Sequence, residues 1–395
     1  MLVLLLAVAS LTACGGGRDR RAAAATPEPA VATPASPPQL PPAATATPAP
    51  VITSSGWLVH IRDNGVYASA LDGSGERQLD AGSIAPRLAQ YAGAVYAADD
   101  VWVYLLVPVR RVDTPSAEVL YDVAVVRTSI LTGAHEEVFA YGPLPLGDGV
   151  RKYVSVSPDG LRIAYDGPGG VHVAYLGATV DDFIITTGCA GSERCSQYLA
   201  PLWSPAGDAL LLTKQYYEGA NLALVRLAEP AVVHDFEDVS GEGKTWSRDG
   251  RRACAFSETY VPAGTWLVDA ATLEHRRIDS LVESGVRVTG CVVNEYDDVA
   301  LAYQQAIPGG ERAAGAVLPS AGSGAGIGTI ALPEPYTAVE AWLPDGGGLI
   351  VSGYPSCVPC GERDPSTAVL LVGGAVRSLP FAAGKVLGVV ATTAP

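Results

Sequence analysis

Lysine is nearly missing from this chain. Lys152, Lys214, Lys244 and Lys385 are the only four in 395 residues, and arginine carries almost all the positive charge. No basic run forms, and the formal net charge is −15. Nucleic-acid binding needs Lys and Arg clustered along phosphates, so that class of partner is excluded. Catalytic signatures are missing too. There is no G-x-S-x-G elbow and no D-x-D-x-D-G calcium loop, and GSGAGIG (322–328) lacks the spacing and the following helix of a dinucleotide loop. His60, His135, His172, His234 and His275 are scattered without i, i+4 or other short ligand spacing, and are expected on strands. No metal and no cofactor is expected.

Long apolar runs are also lacking. The chain opens MLVLLLAVASLTACGGG, and residues 2–13 are too few for a spanning helix, which needs about 20. They fit the apolar segment of an export signal, although no Lys or Arg precedes them. Leu11-Thr12-Ala13-Cys14 resembles the bacterial lipoprotein lipobox. That resemblance implies a signal peptide over 1–13, lipidation of Cys14, and residence in the bacterial cell envelope on its extracytoplasmic side. The membrane is then met through the lipid anchor alone. Residues 14–52 hold the anchor and a Pro/Ala/Thr-rich stretch with no hydrophobic period, which cannot pack a core and is expected to be a disordered stalk. Some thirty of these residues, at ~3.1 Å each, reach up to ~90 Å.

The body, 53–395, repeats itself. Ser157-Pro158-Asp159-Gly160 sits between two short alternating runs, and its glycine recurs as Gly207, Gly250 and Gly346. Asp99 and Asp297 occupy the position in degenerate copies, and successive spacings run from 43 to 61 residues. Four residues earlier stand Val156, Trp203, Trp246, Val293 and Trp342, always large and apolar. The turn has a mechanical reason: Pro presets φ, Asp caps the backbone and Gly takes positive φ. Strand–turn–strand at this period marks propeller blades, and periodicity puts the three Trp between blades. Seven outer turns stand against six inner ones, and the strand KVLGVVATT (385–393) is left over where the first blade lacks one. The expectation is all-β: a single propeller of seven four-stranded blades closed by the C-terminal strand, with six or eight as alternative counts. A monomer is expected.

The unit WS-P/R-D/A-G, an alternating run and then a D-x-x-T/G-like turn resembles the TolB-type, WD-repeat-like propeller repeat over residues 56–393. The resemblance implies the fold and an extracytoplasmic setting. The N-terminal α/β domain of TolB is absent here, so TolB's own partner is not implied.

Cys14 aside, six cysteines remain, and an even number in an exported chain suggests disulfides. Cys189 and Cys195 flank a short loop. Cys254 falls on the second strand of the fifth blade and Cys291 on the first strand of the sixth. Cys357 and Cys360 form a CxxC that reads as a loop-bracing bridge, with a thiol-redox or metal role as the alternative. Pairings 189–195, 254–291 and 357–360 are expected. In propellers one face is formed by the loops joining strands two and three. Here they carry Arg110, Arg111, Tyr216, Tyr217, Glu218, Glu258, Tyr260, Tyr354, Arg363 and Asp364, a candidate binding face rich in interface-type residues. Two functions stay open. One is a binding or scaffold module for a protein or glycan. The other is a carbohydrate-active hydrolase using paired carboxylates such as Glu218 and Glu258, which would have to converge to roughly 5–10 Å.

Overall fold

The computed structural model describes residues 55–392 except 80–81, 98–99, 114–118, 146–152, 178–180, 187–195, 218, 258–262, 280–285, 308–309, 319–327, 331, 334, 354–364 and 372–374. The fold is all-β. Its strands form seven four-stranded antiparallel sheets in a β-propeller arrangement. No α-helix occurs among the described residues, and a 3-10 turn spans Pro86–Leu88. Six sheets are each built from consecutive strands. Their inner strands are Gln90–Ala97, Val154–Val156, Gln197–Trp203, Gly243–Trp246, Val286–Val293 and Ala338–Trp342, opening the second to seventh sheets. The first sheet borrows its inner strand from the far end of the chain. Lys385–Ala391 lies antiparallel beside Gly56–Arg62, from Gly56 opposite Ala391 to Ile61 opposite Lys385.

The repeated turn fixes each inner hairpin. Gly160, Gly207, Gly250 and Gly346 have φ of 71°, 72°, 71° and 69°, a region that costs a side chain about 1–2 kcal/mol. Asp297 adopts φ 63° at the same place, so the degenerate copy keeps the backbone and accepts the strain. The turns close alike: the amide of Gly160 donates to Ser157, that of Gly207 to Ser204 and that of Gly250 to Ser247, at 2.8–2.9 Å.

The core is a ring of seven apolar clusters, one at each junction between neighbouring sheets. Leu210 and Leu212 face the third sheet with Trp203, whereas Leu211 between them faces the fifth with Trp266. A strand packed on both sides reads as an unbroken apolar run, as in Ala209-Leu210-Leu211-Leu212 at the start of the strand Ala209–Tyr216. The junction between the seventh and first sheets, with Leu58, Leu71, Leu343 and Ile350, is filled like the rest.

The tryptophans lie at the junctions. Trp203 Nε1 donates to the Ser155 carbonyl at 2.9 Å, Trp246 Nε1 to Leu202 at 3.2 Å and Trp342 Nε1 to Val292 at 3.3 Å. Each acceptor stands five residues before the turn residue of the preceding sheet, so one bond is repeated three times. Between the fifth and sixth sheets the residue at the Trp position is Val293, and there Cys254 and Cys291 form a disulfide with Cα atoms 6.0 Å apart.

Five inner strands carry an extra residue that has no opposite number on the second strand. The irregularities fall at Ala92, at Ala200-Pro201, at Thr289, at Glu340 and at Leu387. Such bulges bend a strand and re-aim a side chain. Two of the connections between second and third strands are short. The segment 304–315 is mostly strand, since Val299–Ile307 and Gly310–Leu318 pair down to Ile307 opposite Gly310. Likewise Asp100–Val112 runs into the segment 108–118, because cross-strand pairing continues to Val112 opposite Leu120.

Candidate functional site

The inner strands enclose a channel of about 490 Å³ to which all seven sheets contribute lining residues. Its wall is apolar and aromatic, with Tyr91, Tyr96, Trp203, Trp246 and Trp342. At the turn end the lining comes from one repeat position, two residues before the turn residue: Pro158, Pro205, Arg248, Glu295 and Pro344. Pro is ordinary there, so Arg248 and Glu295 are the departures. Arg248 Nη1 donates to the Pro344 carbonyl at 3.2 Å, tying the turn of the fifth sheet to that of the seventh. Arg248 also acts electrostatically on Tyr96, whose hydroxyl proton affinity is nonetheless raised by burial.

Two charged residues stand on the wall itself. Lys244 and Glu340 both lie six residues before their turn glycines, where the other sheets have Val154, Pro201 and Cys291. Lys244 is half-buried and donates to Thr213 Oγ1 at 2.7 Å. Removal from water pushes its ammonium down to about 7, with Asp166 of the third sheet opposing. Glu340 is the bulge residue of its strand and accepts a hydrogen bond from the Ser352 hydroxyl. Burial raises its carboxyl, against the Ser352 bond and the Lys385 charge. Sequence reasoning missed both residues. Aligning the repeat two positions further would have exposed them, as charges in an otherwise uncharged column.

Of the candidate loop residues, Arg110, Arg111, Tyr216 and Tyr217 are described. Arg110 and Arg111 sit on the strand Asp100–Val112 and not in a loop, because Arg110 pairs with Asp122 of the neighbouring strand and holds the hairpin together there. Arg111 Nε is 4.0 Å from Asp113. Tyr216 ends the strand Ala209–Tyr216, with its hydroxyl donating to Asn221 Oδ1 at 3.0 Å, and Tyr217 is 87% exposed. These contacts tie each pair within its own sheet. Glu218, Glu258, Tyr260, Tyr354, Arg363 and Asp364 lie outside the described residues, as do Cys14, Cys189, Cys195, Cys357 and Cys360. The five histidines are all on strands. Among the described residues no group of three His, Cys, Asp or Glu is arranged to hold a metal ion. Among them, too, no helix is long and apolar enough to cross a membrane.

These features define the class: a β-propeller whose inner strands enclose a lined channel. No protein-family model matches the sequence, and no curated protein matches it. Solved structures similar to it include TolB from Acinetobacter baumannii, at 12% identity and a TM-score of 0.45 over 85% of this chain. The match spans 65% of the length of that TolB. A periplasmic gluconolactonase from Pseudomonas aeruginosa is similar at 13% identity and a TM-score of 0.47, over 87% of this chain and 98% of that one. A protein from Lactobacillus plantarum is similar at 11% identity and a TM-score of 0.47, over 86% of this chain and 99% of that one.

Proposed function

We propose that the chain is a lipid-anchored, extracytoplasmic propeller of seven blades that binds a protein or glycan partner. In this reading each four-stranded sheet is one blade. Cys14 carries the lipid, residues 15–52 form the stalk, and 53–395 display the strand-two-to-three loop face as a monomer. The observation that carries binding over hydrolysis is the setting of Glu340. Burial raises its carboxyl, which accepts from the Ser352 hydroxyl, and among the described residues no carboxylate shifts it, whereas glycoside hydrolysis needs two carboxyl groups acting together; Glu295, the other channel carboxylate, lies at the turn end. Exposed Tyr217 at the tip of a loop suits an interface anchor.

The runner-up is a hydrolase. Its support is the same Glu340, held toward the protonated form that a general acid requires. A redox role for Cys357 and Cys360 stands third. Capture from intact cells with the full lipidated chain tests the first reading: a stoichiometric partner is expected, and Tyr217→Ala should weaken its recovery. Glycoside hydrolysis abolished by Glu340→Gln would overturn binding in favour of the hydrolase. Membrane partitioning of Cys14→Ser reads the anchor separately, with transfer to the soluble fraction expected.

A further inference from the structure

Lys244 is a channel-wall cation whose hydrogen bond goes to a neutral hydroxyl, and this holds whether or not the loop face binds anything. Its ammonium donates to Thr213, and among the described residues no carboxylate is ion-paired with it. Asp166, the carboxylate that acts on it, accepts from the Ala200 amide at 2.8 Å. The other cation of the channel, Arg248, is committed to the Pro344 carbonyl. Elsewhere in the molecule lysine is treated differently: Lys214 is paired with Asp235 at 2.5 Å.

An ammonium taken out of water without a counter-ion is costly, and folded proteins pair such groups or neutralise them. The cost falls when a ligand supplies the missing charge. Of the three N–H donors of Lys244, Thr213 takes one. The two that remain match the two oxygens of a carboxylate. A single uncommitted cation suits a monoanion and not a phosphate dianion, which wants several donors. The rest of the wall specifies the body of the ligand. It is apolar and aromatic, and about 490 Å³ falls in the ordinary size range of small-molecule sites.

We propose that the channel is a receptor for a small organic carboxylate, its charged end on Lys244 and its apolar or aromatic body against the aromatic residues of the wall.

Isothermal titration of the full chain with sodium benzoate, and separately with inorganic phosphate, tests this. Saturable one-to-one binding of benzoate is expected in the wild type. It should weaken at least tenfold in Lys244→Met and persist in Lys244→Arg, which keeps the charge, and in the paired-lysine control Lys214→Met. Should Lys244→Met lose the wild-type melting profile, Lys244→Gln takes its place. Undiminished binding without the Lys244 charge overturns the proposal, as does equal loss in the Lys214 control or no saturable heat in the wild type. Phosphate binding tighter than benzoate overturns the carboxylate assignment.

Discussion

Two kinds of joint hold neighbouring sheets together. Where the third meets the fourth, the fourth the fifth and the sixth the seventh, an indole N–H reaches one inner-strand carbonyl of the preceding sheet. Where the fifth meets the sixth, that position is Val293, and the joint is made by three other devices. These are the Cys254–Cys291 disulfide, a Thr245 hydroxyl donating to the Cys291 carbonyl at 3.1 Å, and Arg252 paired with both Asp269 and Asp297. The first kind is repeated and the second is local. A repeat need not be repaired in kind. Once the Trp is lost from one copy, any chemistry that fills the gap will serve.

The joint that closes the ring has neither device, and removing it should have the largest effect. Deleting 385–395 strips the inner strand from the first sheet and leaves Gly56–Arg62 as an open edge. Loss of more than about 5 kcal/mol is expected, enough to unfold an ordinary domain. A truncated chain melting at the wild-type temperature would show that closure is not the weak point. Next comes the disulfide, whose cysteines are 37 positions apart in sequence. On the chain-entropy model its loss costs about 4 kcal/mol. Urea unfolding of Cys254→Ser/Cys291→Ser against the wild type reads it, and a difference below that of a Trp joint would reverse the ranking of the two kinds.

The closing sheet should also be the acid-sensitive one. His60 is fully buried, its Nε2 is 2.9 Å from Ser69 Oγ, and its Nδ1 has no partner. Burial, and then the Arg62 charge, lower its proton affinity to about 4, with Glu76 opposing. A folded value below the unfolded 6.5 means that stability is intact above pH 6.5 and falls as pH drops toward 4. The loss is about 3 kcal/mol. Urea midpoints at pH 7 and pH 4 should differ less in His60→Gln, and an equal difference would place the acid sensitivity elsewhere. The smallest effect belongs to a single repeated joint. Trp203→Phe leaves the Ser155 carbonyl without its indole donor, at about 1–3 kcal/mol. Trp246→Phe should match it if the joints are equivalent, which thermal melts of the two variants will compare.

What repeats was legible in the sequence, and what is local mostly was not. The turn glycines announced a positive φ, and even Asp297 could be placed from spacing alone. The Trp column marked the junctions, and placement on neighbouring strands of adjacent blades was enough to pair Cys254 with Cys291. The two-sided burial of strands such as Ala209–Tyr216 hides which neighbour each leucine faces, because both faces are apolar. Bulges leave no trace in composition, so the aim of Glu340 was out of reach. Lys244 was visible only as a rare residue type. Arg110 and Arg111 were misplaced because charge was read as a loop signal, when a cross-strand Asp122 lets a strand carry it.

The unmatched residues on the inner strands have a consequence for how such a ring changes over time. Ala92, Glu340 and Leu387 line the bore, yet none has a partner in the register of the sheet behind it. A substitution at these sites leaves every cross-strand pair in place. At Glu340, which belongs to none of the apolar clusters, the lining can therefore be rewritten, charge for alkyl or large for small, while the sheets keep their alignment. The scaffold and the surface it presents inward are separately editable, and new specificity can arise there without a new fold.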